Sequence, residues 1–294
     1  GGATINLATD ARFGNFENLS AASATGPITF TGVAGTTSVS TGAGNDTLTL
    51  TAAGNGVTVN AGAGNNSVTT GAGDDRLTLG AGVDTIATRG GDDVVLGALT
   101  AGDRVLLEGG DDEISLPNTA INVTVDGGTG TDTLNYRGAA ALSLDFGATD
   151  HNGASTGVYR NFENLNAATA TGDVVVSATG GTTLLATGAG DDDIDASAAD
   201  QGVAISARGG INTILGSAFG DTITLGGGRD AVQAGGGADT VLGNLTAGDV
   251  VQLQGGADRF DYRALSATGT IVDGGSGVDT LAYDGSAAKT FNFS

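Results

Sequence analysis

The chain contains no cysteine, methionine or tryptophan, and only two prolines, Pro27 and Pro117, in 294 residues. Aromatic side chains make up 4%. That is too few for a core of interlocking large side chains, so a narrow core of stacked Val, Ile and Leu is expected instead. A single histidine, His151, and no cysteine leave no His/Cys nucleophile pair, and the metalloprotease pattern H-E-x-x-H is missing. His151 lies in the Gly/Ser-rich stretch Ala148–Gly157 and reads as solvent-facing. Positive charge is scarce: ten arginines are scattered singly and Lys289 is the only lysine. Without a basic stripe, nucleic acid is not an expected partner. No hydrophobic run nears the roughly 20 residues of a membrane span, and the first residues carry no export-signal pattern.

Glycine and acid are abundant. There are 54 glycines, and 33 acidic against 11 basic residues give a net charge of −22. Glycine in excess can mean disorder, but here aliphatic residues recur every nine positions, which a disordered chain has no reason to do. Four nonapeptides run in unbroken register from Ala61: AGAGNNSVT, TGAGDDRLT, LGAGVDTIA and TRGGDDVVL. Their fourth residue is glycine (Gly64, Gly73, Gly82, Gly91), their sixth is Asp or Asn (Asn66, Asp75, Asp84, Asp93), and their eighth is aliphatic (Val68, Leu77, Ile86, Val95). Glycines permit a six-residue turn whose carbonyls converge, and the carboxylate adds a hard oxygen. A calcium ion takes six to eight oxygen ligands, more than one turn supplies, so two stacked turns must share it. The lone apolar eighth residue makes a very short strand with one face inward. Two nonapeptides then form one coil of two strands and two turns.

These repeats are similar to G-G-x-G-x-D-x-U-x, where U is a large apolar residue, and the chain resembles the RTX (repeats-in-toxin) family, of the S-layer and large surface-adhesin kind. The resemblance implies an all-β fold, a right-handed parallel β-roll or β-solenoid with multiple Ca²⁺ ions between stacked turns. It also implies type I secretion of an unfolded chain, with folding by calcium outside a bacterial cell.

A longer period overlies the short one. Asn15–Leu19 (N-F-E-N-L) recurs as Asn161–Leu165, and Leu99–Asp103 recurs as Leu245–Asp249, both 146 positions on (161 − 15 and 245 − 99). Residues 1–135 form one solenoid copy, 136–282 a second, and 283–294 the start of a possible third, so the chain reads as a fragment. Residues 1–31 are expected to form irregular coils with Phe16 and Leu19 filling the interior, and N-F-E-N-L reads as two core residues and a turn. Assigning repeats to alternate edges gives two metal-ligand columns per copy. In copy one they are Asp46, Asn66, Asp84, Asp103 and Asp75, Asp93, Asp112, Asp132. In copy two they are Asp192, Asn212, Asp230, Asp249 and Asp221, Asp239, Asp258, Asp279. Each neighbouring pair brackets a candidate site, about five or six ions per copy. The Asn66 and Asn212 turns are either weaker sites or uncalciated.

No catalytic residues are expected. A structural or adhesive surface protein, such as an S-layer, surface filament or biofilm adhesin, is preferred because the duplication leaves no room for a catalytic unit. The alternative is the calcium module of a secreted enzyme or toxin. An ice-binding solenoid is third, since the turn positions it needs vary (Ala43/Asn45, Ala72/Asp74, Gly90/Asp92). The expected partners are neighbouring copies of the same kind in a surface array, by self-association, with cell-surface polysaccharide a further candidate.

Overall fold

The computed structural model describes residues 2–117, 122–146, 157–243, 245–262 and 269–283; His151 and residues 284–294 lie outside them. The chain divides into two compact units, Gly1–Asn166 and Ala167–Ser294. Among the described residues every regular element is a strand, and no helix is long and apolar enough to cross a membrane.

Each strand is only a few residues long because glycine turns bound the single apolar position on both sides. Thr47–Thr49, Ser67–Thr69 and Thr85–Ala87 stand in parallel register on one ladder, and Thr58–Asn60, Arg76–Thr78 and Val94–Leu96 on the other. Consecutive strands alternate between ladders, so each pairs with the strand two repeats on and two nonapeptides close one coil. In the first unit one ladder has eight strands, from Ala3–Asn6 to Val158–Arg160, and the other runs from Asn18–Ser20 to Asn164–Asn166. In the second unit the ladders run from Val174–Ser177 to Ile271–Asp273 and from Leu184–Ala186 to Thr280–Tyr283. The result is a parallel β-solenoid.

The middle residue of each strand faces inward, and parallel register stacks it on its equivalent. Leu48, Val68, Ile86 and Val105 form one apolar column, and Val59, Leu77, Val95, Ile114 and Leu134 the other, all at most 1% exposed. In the second unit Ile194, Ile214, Val232 and Val251 stack in the same way. Each such side chain contributes roughly 1.5–3 kcal/mol of burial, and a one-residue slip would turn the column outward. Ile114→Ala, which leaves a hole between Val95 and Leu134, should cost about 2–5 kcal/mol in urea unfolding with calcium present. A cost below 0.5 kcal/mol would show that the apolar column does not hold the coils together.

Between strands the turns need glycine where coils touch. Gly82 has φ +127° and Gly91 φ +103°, and a Cβ on either would overlap the backbone of Gly64 or Gly73 on the coil below.

The entry coil departs from the expected interior packing. Phe16 is 56% exposed and Leu19 half-buried, whereas their equivalents Phe162 and Leu165 are fully buried. Leu165 has Leu134 beside it in register. Among the described residues the strand Asn18–Ser20 has a neighbour on one side only, Ser38–Ser40, and none of them stacks a coil on the other side of Phe16.

Candidate metal centre

The residue before each strand is the sixth of its nonapeptide, and ladder register stacks these residues as it stacks the apolar ones. In the first unit the Asp75 amide donates to Asp93 Oδ1 (2.7 Å), the Asp93 amide to Asp112 Oδ1 (2.8 Å) and the Asp112 amide to Asp132 Oδ1 (2.9 Å). On the other edge the amides of Asp46, Asn66 and Asp84 donate to Asn66, Asp84 and Asp103 at 3.0, 2.9 and 2.7 Å. The second unit repeats this through Asp192, Asn212, Asp230 and Asp249, and through Asp221, Asp239, Asp258 and Asp279. All sixteen residues therefore lie in four columns, linked by one side-chain oxygen each. Of the sixteen, only Asp279 is exposed.

The second oxygen separates the turns into classes. Asp46, Asp75, Asp84, Asp93, Asp112, Asp132, Asp192, Asp230, Asp239 and Asp258 each bury an Oδ2 with no hydrogen-bond partner. A buried carboxylate oxygen left unpaired is costly. At Asp103, Asp221 and Asp249 the turn itself fills that role: Oδ2 accepts the amides of Thr100, Ser217 and Thr246, each at 2.6 Å. At the asparagines the amide group does so. Asn66 Nδ2 donates to the Gly64 carbonyl (3.0 Å), and Asn212 Nδ2 to the Gly209 carbonyl (3.3 Å) and Asp230 Oδ1 (2.8 Å).

Ten buried carboxylates with a free oxygen beside carbonyl-rich glycine turns are a donor set for a hard divalent cation. Among the described residues no three His, Cys, Asp or Glu side chains converge, so a site here needs backbone carbonyls beside its carboxylates.

Burial dominates the electrostatics. It pushes Asp84 and Asp230 up to about 6, and Asp93, Asp112, Asp132 and Asp239 up to about 7, with neighbouring column carboxylates adding to the effect. Asp75 and Asp192 move the same way. A carboxyl with a raised folded-state pKa makes the fold hold more protons than the unfolded chain, so metal-free stability falls as pH rises. That contribution is complete below the ordinary value of 3.8 and lost as pH passes through about 6 to 7. In chelator, β-structure measured by circular dichroism should survive at acid pH and melt towards neutrality, with calcium restoring it. Metal-free structure that strengthens with rising pH would contradict this.

Two features carry no nonapeptide signature. Glu163, from the second N-F-E-N-L, extends one column, its Oε2 accepting the Asp132 amide (2.8 Å), and burial raises its pKa. Its acid two residues before a buried leucine is the signal that places it. A second, outer row accepts amides from the next coil through Asp74, Asp92 and Asp111, and through Asn45 and Asn65. The doubled acids at Asp74–Asp75, Asp92–Asp93 and Asp111–Asp112 mark it. One G-x-S-x-G string, Gly153-Ala154-Ser155-Thr156-Gly157, is present in the sequence, and its first four residues lie outside the described ones.

The family model for the RTX calcium-binding nonapeptide repeat (4 copies) matches residues 31–52, 60–95 and 206–241. These segments hold Asp46, Asn66, Asp75, Asp84 and Asp93 in the first unit, and Asn212, Asp221, Asp230 and Asp239 in the second. No curated protein matches the chain. With parallel strands of three or four residues, stacked Asp columns and this match, the matched segments are RTX calcium-binding nonapeptide repeats.

Proposed function

We propose that the chain is a calcium-dependent structural or adhesive repeat protein of a bacterial cell surface, exported unfolded and folded by Ca²⁺ outside. The observation that carries this reading is the set of ten buried aspartates, each with one oxygen held by the backbone and the other without a partner. In this reading those ten are the side-chain calcium ligands. Bound calcium supplies the positive charge that lets stacked carboxylates ionise without water. The residues' own part is to fix one oxygen by the neighbouring coil's amide and to present the other among turn carbonyls. Asp103, Asp221 and Asp249 close their turns without metal, and Asn66 and Asn212 do so through their amide groups.

The surface-array reading is supported by the duplication, which spends the chain on two copies of one scaffold. An ice-binding role is disfavoured. The outward row Thr29, Thr47, Ser67, Thr85 ends at Arg104, which breaks the flat rank such a surface needs.

A calcium titration followed by circular dichroism tests the reading. A chain that folds only after export should have its midpoint near the 10⁻⁴–10⁻³ M of extracellular calcium modules. A sub-micromolar midpoint, or none, would contradict folding outside the cell.

A further inference from the structure

We propose that the buried threonines Thr41, Thr70, Thr88 and Thr187 supply hydroxyl oxygens to the calcium sites of their turns, making those sites tighter than the ones whose turns lack a threonine. The inference rests on the calcium reading and deepens it, because it sorts the ten aspartates with a free oxygen into two kinds.

Each threonine opens a nonapeptide, five residues before its aspartate: Thr41 before Asp46, Thr70 before Asp75, Thr88 before Asp93 and Thr187 before Asp192. At Asp84, Asp112, Asp132, Asp230, Asp239 and Asp258 the same place holds leucine, glycine or alanine. Closing the turn does not need the hydroxyl. Asp112 and Asp239, preceded by Leu107 and Ala234, accept a neighbouring amide through Oδ1 just as Asp93 and Asp192 do.

The four threonines are at most 2% exposed, so their hydroxyls need partners inside the coils. In the first unit each finds one on the next coil of its own edge. Thr41 Oγ1 donates to the Ala61 carbonyl (2.8 Å), Thr70 Oγ1 to the Thr88 carbonyl (2.9 Å) and Thr88 Oγ1 to the Leu107 carbonyl (2.9 Å). A hydroxyl has one proton and two lone pairs. With the proton committed to a carbonyl, only lone pairs are left to offer, which is what a cation takes from a ligand.

Thr187 stands in the corresponding turn of the second unit, 146 positions after Thr41 (187 − 41). Its Oγ1 is buried without a hydrogen-bond partner, and so is Oδ2 of Asp192 in the same turn. The two groups are close: burial raises the Asp192 pKa and Thr187 opposes the rise, as Thr70 does at Asp75 and Thr88 at Asp93. Two buried oxygens that no protein group satisfies are costly, and both are the hard donors that Ca²⁺ selects. A hydroxyl already fixed in the turn adds an oxygen without adding to the repulsion among carboxylates, and ligand set and rigidity are what tune calcium affinity.

Calcium binding to the full chain in competition with a chromophoric chelator, with circular dichroism on the same samples, tests this. Thr187→Val exchanges the hydroxyl for a methyl of the same shape. Were the hydroxyl only filling space, removing an unpartnered buried polar group would leave calcium binding unchanged or tighter. As a ligand, its loss should weaken one site by at least about tenfold, the scale on which even outer-sphere partners of a metal act, with the β spectrum in saturating calcium unchanged. Thr187→Ser, which keeps the hydroxyl, should bind like the unsubstituted chain, and Thr88→Val should weaken a site of the first unit in the same way. Unchanged or tighter binding in Thr187→Val, or equal weakening in Thr187→Ser, would overturn the threonine assignment and leave the calcium reading standing. An unsubstituted chain that takes up no calcium would overturn both.

Discussion

Chelating calcium at neutral pH is expected to abolish the β spectrum of this protein in a single cooperative transition. The apolar columns are one residue wide, and a net charge of −22 repels itself as the coils close. Against this stands mass action on many ions: at calcium tenfold over Kd each site contributes about 1.4 kcal/mol, and at a hundredfold about 2.7. Five sites in one unit are then worth about 7 to 14 kcal/mol, comparable with the whole stability of an ordinary domain, about 5–15 kcal/mol. Losing them leaves buried aspartates whose ionisation is unfavourable near pH 7. The measurement is far-UV circular dichroism before and after chelation and after calcium is returned. A metal-free β spectrum equal to the loaded one at pH 7.5 would show that the columns are compensated some other way.

The second large effect is at Asp93, which sits mid-column between Asp75 and Asp112. Its Oδ1 holds the Asp75 amide while its Oδ2 is buried and free, so Asp93→Ala removes a fixed acceptor and a ligand bordering two intervals. It should lower the calcium stoichiometry by one or two ions, reduce cooperativity, and cost about 3–5 kcal/mol at saturating calcium, from one lost site and one orphaned amide. Asp93→Asn should keep the amide bond, as Asn66 does, and lose calcium with a smaller loss of fold. Asp103→Ala is the contrast. Its oxygens are already taken by the Asp84 and Thr100 amides, so stoichiometry should hold while stability drops by about 1–3 kcal/mol. Isothermal titration calorimetry with urea unfolding separates the three, and an unchanged ion count in Asp93→Ala would remove Asp93 from the set of ligands.

Much of this architecture was legible because the code is local and periodic. An aliphatic residue two after each Asp or Asn, repeated every nine positions, dictates a short inward-facing strand. Alternation of nonapeptides between edges puts residues 18–20 apart in register, as Leu48, Val68 and Ile86 are. Chemistry set by a turn's own closure was not legible. Nothing in Leu99–Asp103 announces that the Thr100 amide takes the second Asp103 oxygen, and Ser217 does the same at Asp221. Glu163 escaped because it lies 31 residues from Asp132, beyond any nonapeptide step. Phe16 is exposed although its N-F-E-N-L segment is identical to that of the buried Phe162, because burial depends on the coil stacked against it, which a residue's own neighbours do not specify.

The most direct measurement is a crystal structure of the calcium-loaded protein, with anomalous differences collected to identify the ions. Density for a six- to eight-coordinate cation is expected within bonding distance of the second oxygen of Asp75, Asp93, Asp112 and Asp132, bridging each to the turn of the adjoining coil. Those oxygens bonded only to water or to protein groups, in crystals grown at millimolar calcium, would contradict it.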